Sequence, residues 1–185
     1  MKDILKLGVI LLIITSISGV VLGFTNNLTL PYIQRQAQEA NNLARQEVLP
    51  GANEFEKVDI DIQSSLVKEI YKGLNGNDVV GYTIKTTPKG YSGEIEVIVG
   101  IGIDGTIHGV NIGNHSETPG LGAKASEEEF KGQYKNKKAN ENIEVIKSGI
   151  PKEDEVISIA GATITSQAVT DGVNESIRIF NEVLK

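Results

Sequence analysis

The sequence predicts an α+β fold: a mainly antiparallel sheet closed by a C-terminal helix, behind a single N-terminal transmembrane helix. Three observations predict it. An uncharged apolar run opens the chain, residues of alternating polarity fill its middle, and an apolar stripe of helical period ends it.

The opening run is long enough to span a bilayer. No residue from Leu7 to Gln34 is charged, and Leu7 to Phe24 is nearly all apolar. At about 1.5 Å per residue that stretch covers roughly 27 Å, close to a hydrocarbon core. Lys2 and Lys6 precede it and the next charge is Arg35. The positive-inside tendency therefore places the N-terminus in the cytoplasm and the rest of the chain outside, as a single-pass protein of the cell membrane in contact with the lipid bilayer. A cleaved signal peptide is the competing reading, but the run exceeds the usual apolar core and no Ala-x-Ala site follows, so a retained anchor is expected. Thr15, Gly19 and Gly23 fall four apart. Either they admit a neighbouring transmembrane helix of a partner protein, or they reflect glycine's general frequency in such helices.

Past the span, Pro31 suits a helix start, and Ile33, Ala37, Ala40, Ala44 and Val48 keep a helical period until Pro50-Gly51. The expected organisation is an anchor over 1–30, a juxtamembrane helix or linker over 31–51, and one globular domain over 52–185, long enough for its own core.

Within that domain, Val79 to Thr86 reads as a strand. Ile95, Val97, Val99, Ile101 and Ile103 alternate, Asp104-Gly105 marks a hairpin turn, and Ile107, Val110 and Ile112 return. Ser126-Glu127-Glu128-Glu129 reads as a capping box opening a short helix, and Lys135-Asn136-Lys137-Lys138 as a solvated basic loop. Ile143 to Ile146 and Val156 to Ile159 are short strand candidates. Val169, Val173, Ile177, Phe180 and Leu184, at spacings of three and four, predict a closing amphipathic helix from near Thr165.

Composition removes several kinds of chemistry. With no cysteine, two histidines and a single methionine at position 1, the chain supplies no thiolates for an iron–sulfur cluster, and haem or zinc ligation is improbable. Any redox cofactor should be organic. The first 24 residues carry +1 from Lys2, Lys6 and Asp3, so the remainder carries −7 of the net −6, which argues against nucleic acid. His115 and Glu117 lack an activated nucleophile near them in sequence, so no hydrolytic mechanism is supported.

Two segments carry a more specific signal. Ile159-Ala160-Gly161-Ala162-Thr163-Ile164-Thr165-Ser166 sets a hydroxyl where a glycine turn feeds a helix N-terminus. Free amides and the positive end of the dipole there favour an anion, although Thr165 or Ser166 could simply cap the helix. Asn114-His115-Ser116-Glu117-Thr118-Pro119-Gly120-Leu121-Gly122-Ala123-Lys124 joins a Pro-fixed turn to glycines that permit close backbone approach to a flat ligand. Alone, it could equally be a structural turn after a hairpin.

Together, in this order, the segments resemble the FMN-binding domain shared by the G subunit of Rnf-type ion-translocating oxidoreductases and the C subunit of sodium-pumping quinone reductases. In that family the Gly-Ala-Thr threonine carries FMN through a phosphoester, which by position implies Thr163. The resemblance implies that Gly161, Ala162, Thr165 and Ser166 surround the phosphate, that His115, Glu117, Thr118 and Leu121 contact the rings, and that Lys124 balances charge. It further implies electron transfer between ferredoxin and NAD, other membrane and peripheral subunits as partners, and a flavin transferase. The chain departs from the family's modification pattern at Ile157, where an Asp is usual, and at Ala160, where a Ser or Thr is usual. Three alternatives to the Rnf-type protein stand at this stage: its quinone-reductase counterpart, a stand-alone extracytoplasmic flavoprotein, and a non-redox anchored binding module.

Overall fold

A computed structural model describes residues 2–60 and 64–185. The chain forms two compact units, one up to Asn41 and one from Asn42 onward. A single helix, α1 (Lys2–Val48), supplies all the described residues of the first and the opening turns of the second.

In the first unit every described side chain before Asn41 is exposed, and the helix is long and apolar enough to cross a membrane. Thr15 and Thr29 fold their hydroxyls back onto carbonyls of the preceding turn, Thr15 onto Leu11 and Thr29 onto Thr25. The expectation that a new helix begins at Pro31 is corrected, because α1 runs through it. Proline removes one amide donor and leaves the carbonyl four residues earlier without it. That is one bond in a helix whose flanking runs, apolar before and alanine-rich after, both favour continuation.

In the second unit, the end of α1 lies on a five-stranded sheet of order β1-β2-β3-β4-β5, antiparallel throughout. The strands are β1 (Glu54–Lys57), β2 (Val67–Asn75), β3 (Asp78–Thr86), β4 (Val97–Gly102) and β5 (Ile107–Ile112). Arg45, only 4% exposed, donates to Glu69 at 2.7 Å and to Asn42 at 2.7 Å, and its guanidinium lies 3.6 Å from the centroid of the Tyr71 ring. Val48 and Ala44 pack on Ile98. At Gly100 the approach is so close that a β-carbon would stand 2.1 Å from the Val48 carbonyl oxygen.

The opposite face of the sheet holds the main core. Ile84, Val97, Val99, Ile101, Ile107 and Val110 meet Val169, Val173, Ile177 and Phe180 of the C-terminal helix. With α1 on one side and that helix on the other, all six residues of β4 are buried. Ile103, expected to continue the buried alternation, is instead 55% exposed, because β4 stops at Gly102 and Ile103 lies in the turn to β5. There Gly105 takes φ +76°, and the Asp104 carboxylate accepts from the Thr106 amide and hydroxyl.

After β5 come a 3₁₀ turn (Gly122–Ser126), the short helix α2 (Glu128–Lys131) and a second 3₁₀ turn (Gly132–Tyr134). No capping box forms: Glu127 is the cap residue without a side-chain bond, and Ser126 closes the preceding turn, its hydroxyl 3.2 Å from His115 Nε2. The basic run is only partly solvated. Lys137 donates to the Lys152 and Glu153 carbonyls, and desolvation lowers its pKa. Tyr134 is fully buried and donates to Thr170 Oγ1 at 2.7 Å, since the Thr170 hydroxyl itself donates to the Ser166 carbonyl. Burial pushes its phenol pKa up.

Strands β6 (Glu144–Ile146) and β7 (Glu155–Ile157) pair in parallel as a separate two-stranded sheet. Gln133 serves as a third strand: its Oε1 accepts from the Ile157 amide at 2.7 Å and its Nε2 donates to the Ile157 carbonyl at 3.1 Å. Helix α3 (Thr163–Ile179) follows and ends in a π-helical turn (Phe180–Leu184).

Candidate functional site

Helix α3 begins at Thr163, two residues before the expected start, because the chain turns at Gly161 with φ +77° and Ala162 forms the cap. The turn is closed by Ser166. Its hydroxyl, buried beneath, accepts from the Ile159 amide at 2.9 Å and donates to the Ala162 carbonyl at 3.0 Å, and its amide also bonds the Ala162 carbonyl. Ser166 therefore shapes the turn and offers no free amide. The N–H groups that helix geometry leaves without intrahelical partners belong to Thr163, Ile164 and Thr165. Neither threonine acts as a side-chain cap.

The two threonines have opposite surroundings. Thr163 is exposed at the first helical position, whereas Thr165 is 1% exposed and its hydroxyl donates to Glu117 Oε2. Of the two, Thr163 is the one whose hydroxyl a group outside the protein can reach.

Opposite the helix start stands the turn Thr118 to Leu121, closed by the Leu121 amide on the Thr118 carbonyl at 3.1 Å. Pro119 at its second position and Gly120 with φ +76° at its third follow the type II pattern. Between turn and helix lies a cleft of about 520 Å³, lined by Glu117, Thr118, Leu121, Gly161, Ala162, Thr163 and Thr165 together with Tyr91, Gly122 and Ile164. Sequence reasoning missed Tyr91 and Ile164, yet both are large, 71% and 58% exposed, and stand at the cleft. An exposed aromatic flanked by glycines, Gly90-Tyr91-Ser92-Gly93, was the available signal.

Other expected residues lie elsewhere. His115 holds the turn from behind, its Nδ1 accepting from the Glu117 amide at 3.3 Å while Nε2 faces Ser126, so Nδ1 carries the lone pair. Lys124 lines an adjacent cleft with Phe130, Gln133 and residues 157–160. Among the described residues no cluster of His, Asp and Glu could hold a metal.

The arrangement fits a phosphorylated flat ligand. Helix-start amides and an exposed hydroxyl offer a phosphate position, the apolar side chains of Tyr91, Leu121 and Ile164 offer surface for rings, and the volume lies within the usual ligand range. Fold and cleft thus define an FMN-binding domain, and the family model of that description matches residues 90–178.

Full-length relatives narrow the class. The chain is 42% identical to the G subunit of the Na⁺-translocating ferredoxin:NAD⁺ oxidoreductase complex of Acetobacterium woodii, over all of this chain and 95% of that protein. It is 35% identical to the G subunit of the proton-translocating ferredoxin:NAD⁺ oxidoreductase complex of Clostridium ljungdahlii, over 87% of this chain and 83% of that one. With the G subunit of the ion-translocating oxidoreductase complex of Methanosarcina acetivorans it shares 34%, over 95% and 94%. The chain belongs to the G-subunit family of ion-translocating oxidoreductase complexes. Among solved structures, the C subunit of the Na⁺-translocating NADH-quinone reductase of Parabacteroides distasonis superposes with TM-score 0.56 at 22% identity, over 84% of this chain and 97% of that one. NqrC of Shewanella oneidensis gives 0.52 at 20%, over 76% and 68%, and both likenesses speak for the fold alone.

Proposed function

We propose that this chain is the covalent-FMN electron carrier of a membrane-bound, ion-translocating ferredoxin:NAD⁺ oxidoreductase complex, with Thr163 as the attachment point. The observation that carries the reading is the exposed threonine hydroxyl at the start of α3, facing the cleft, in a chain that aligns over its whole length with 95% of its Acetobacterium woodii relative.

When bound, the flavin supplies reversible one- and two-electron chemistry. The chain supplies the rest. Thr163 would form the phosphoester, its hydroxyl giving up a proton and displacing the nucleoside monophosphate of an activated flavin dinucleotide; the amides of Thr163 to Thr165 would hold the phosphate, and Tyr91, Leu121 and Ile164 would shield the rings from water. The acidic domain lies on the extracytoplasmic face, where a tether prevents loss of a cofactor that no free pool replaces. The anchor over 1–30 and other membrane and peripheral subunits hold it within electron-transfer range, and a flavin transferase modifies it. Lys124, facing the neighbouring cleft, acts on the flavin's charge through distance only.

Intact mass under denaturing conditions tests the attachment. A gain of one FMN less one water, mapped to Thr163 and abolished in Thr163→Ala, is expected. Flavin retained on that variant, or an unmodified mass in native preparations, overturns the covalent reading.

A further inference from the structure

We propose that Glu117 is a positioning residue of the flavin site, its carboxylate holding three walls of the cleft in register; this rests on the flavin reading above. Glu117 is 5% exposed. Its Oε1 accepts from the Ser92 amide at 2.8 Å, and its Oε2 accepts from the Thr165 hydroxyl. Two glycines make room for it. A β-carbon at Gly90 would fall 2.6 Å from Oε1, and one at Gly122 would fall 2.4 Å from Oε2 and 2.7 Å from Thr165 Oγ1.

Three segments far apart in sequence therefore converge on one side chain: residues 90–92, the turn after Glu117, and the first turn of α3. Tyr91 sits between the glycine that clears the carboxylate and the amide that donates to it, so Glu117 fixes the backbone from which Tyr91 projects at the cleft. It also occupies the Thr165 hydroxyl, which leaves Thr163 as the reachable one. Glu117 lines the cleft, and with both carboxylate oxygens engaged within the protein its part there is to hold the walls.

The full chain in detergent, with and without attached flavin, provides the test, as wild type, Glu117→Gln, Thr165→Val, Thr165→Ser and the Glu117→Gln/Thr165→Val pair. In flavin-free protein Glu117→Gln should speed amide exchange at Ser92 and at Ser166, the bonded amide of the first turn of α3, by about tenfold, as loss of a charge-assisted hydrogen bond implies, with β4 unchanged. In flavin-loaded protein the fluorescence anisotropy of the flavin should fall. Thr165→Val should reproduce both effects, Thr165→Ser should restore wild-type behaviour, and the pair should be no worse than either single variant. Wild-type exchange and anisotropy in Glu117→Gln, effects that add in the pair, or exchange that rises equally in β4 would each overturn the proposal. A wild type that never carries flavin would sink the flavin reading alone, and the exchange rates would still decide the role of Glu117.

Discussion

Gly100→Ala and Gly102→Ala place the same methyl group two residues apart on one strand, and their outcomes should differ sharply. At Gly100 the new carbon would stand 2.1 Å from the carbonyl oxygen of Val48, 2.6 Å from its carbonyl carbon and 3.0 Å from Cγ2. Ordinary contact is about 3.5 Å or more, so helix end and sheet must separate by more than about 1 Å. A main-chain carbonyl at the end of α1 cannot swing aside as a side chain can. Overpacking typically costs about 1 to 3 kcal/mol, and backbone opposition puts this case near 3. For a chain of this size that is a loss of about 6 to 12 °C in Tm. At Gly102 the nearest atoms are His108 Nε2 at 2.5 Å and Asp104 Oδ1 at 2.8 Å, the ends of two exposed side chains: His108 can rotate away, and Asp104 can shift by a few tenths of an ångström at some expense of its bonds to Thr106. Its cost should stay below about 1 kcal/mol. Thermal unfolding followed by the tyrosine signal in near-UV circular dichroism compares the two directly. Equal midpoints, or a Gly100→Ala midpoint within about 2 °C of wild type, would refute the seating of α1 on β4.

Arg45→Ala should destabilise by about 2 to 3 kcal/mol in denaturant titration, since it strips a buried cation from Glu69, Asn42 and the Tyr71 ring. Arg45→Lys should recover little, because one ammonium cannot serve all three. Tyr134→Phe should cost about 1 kcal/mol at neutral pH. Its raised phenol pKa contributes stability present below about pH 10 and lost above it, so the wild type should weaken more steeply than the variant on raising the pH further. The Thr106 hydroxyl and amide hold the Asp104 carboxyl down at about 2 from an ordinary 3.8. That contribution is present above about pH 4 and lost as pH falls toward 2, so Asp104→Asn should flatten the acid limb, modestly because the group is exposed.

Much of the sheet could be read from the chain, but not its edge. β4 announced itself through Val97, Val99 and Ile101 at every second position, and β3 and β5 through the β-branched and aromatic residues on either side of it. β1 and β2 did not, because β1 is four residues long with Phe55 as its one apolar residue, and β2 sets Lys68, Glu69 and Lys72 among its apolar residues, so no alternation shows. The burial of Ile98 was equally hidden, since it depends on the end of α1 covering the second face. At the site, Gly161 and the Pro119-Gly120 turn were visible because backbone conformation is written in residue type. The engagement of Glu117 with Thr165 was not, because the two are 48 residues apart and only packing joins them.

The parallel strand that leads into the site owes its outer edge to the side chain of Gln133. A strand held by a neighbouring strand can slip by two residues and still pair, whereas a single amide grips one position, Ile157, at both its donor and its acceptor. The phase of the chain from Ile157 to Gly161 is thereby pinned from outside the sheet. Lengthening or shortening the exposed 147–153 loop should be absorbed before that pin, and Thr163 would keep its place. Gln133 works as an anchor of register, isolating Thr163 from variation just upstream.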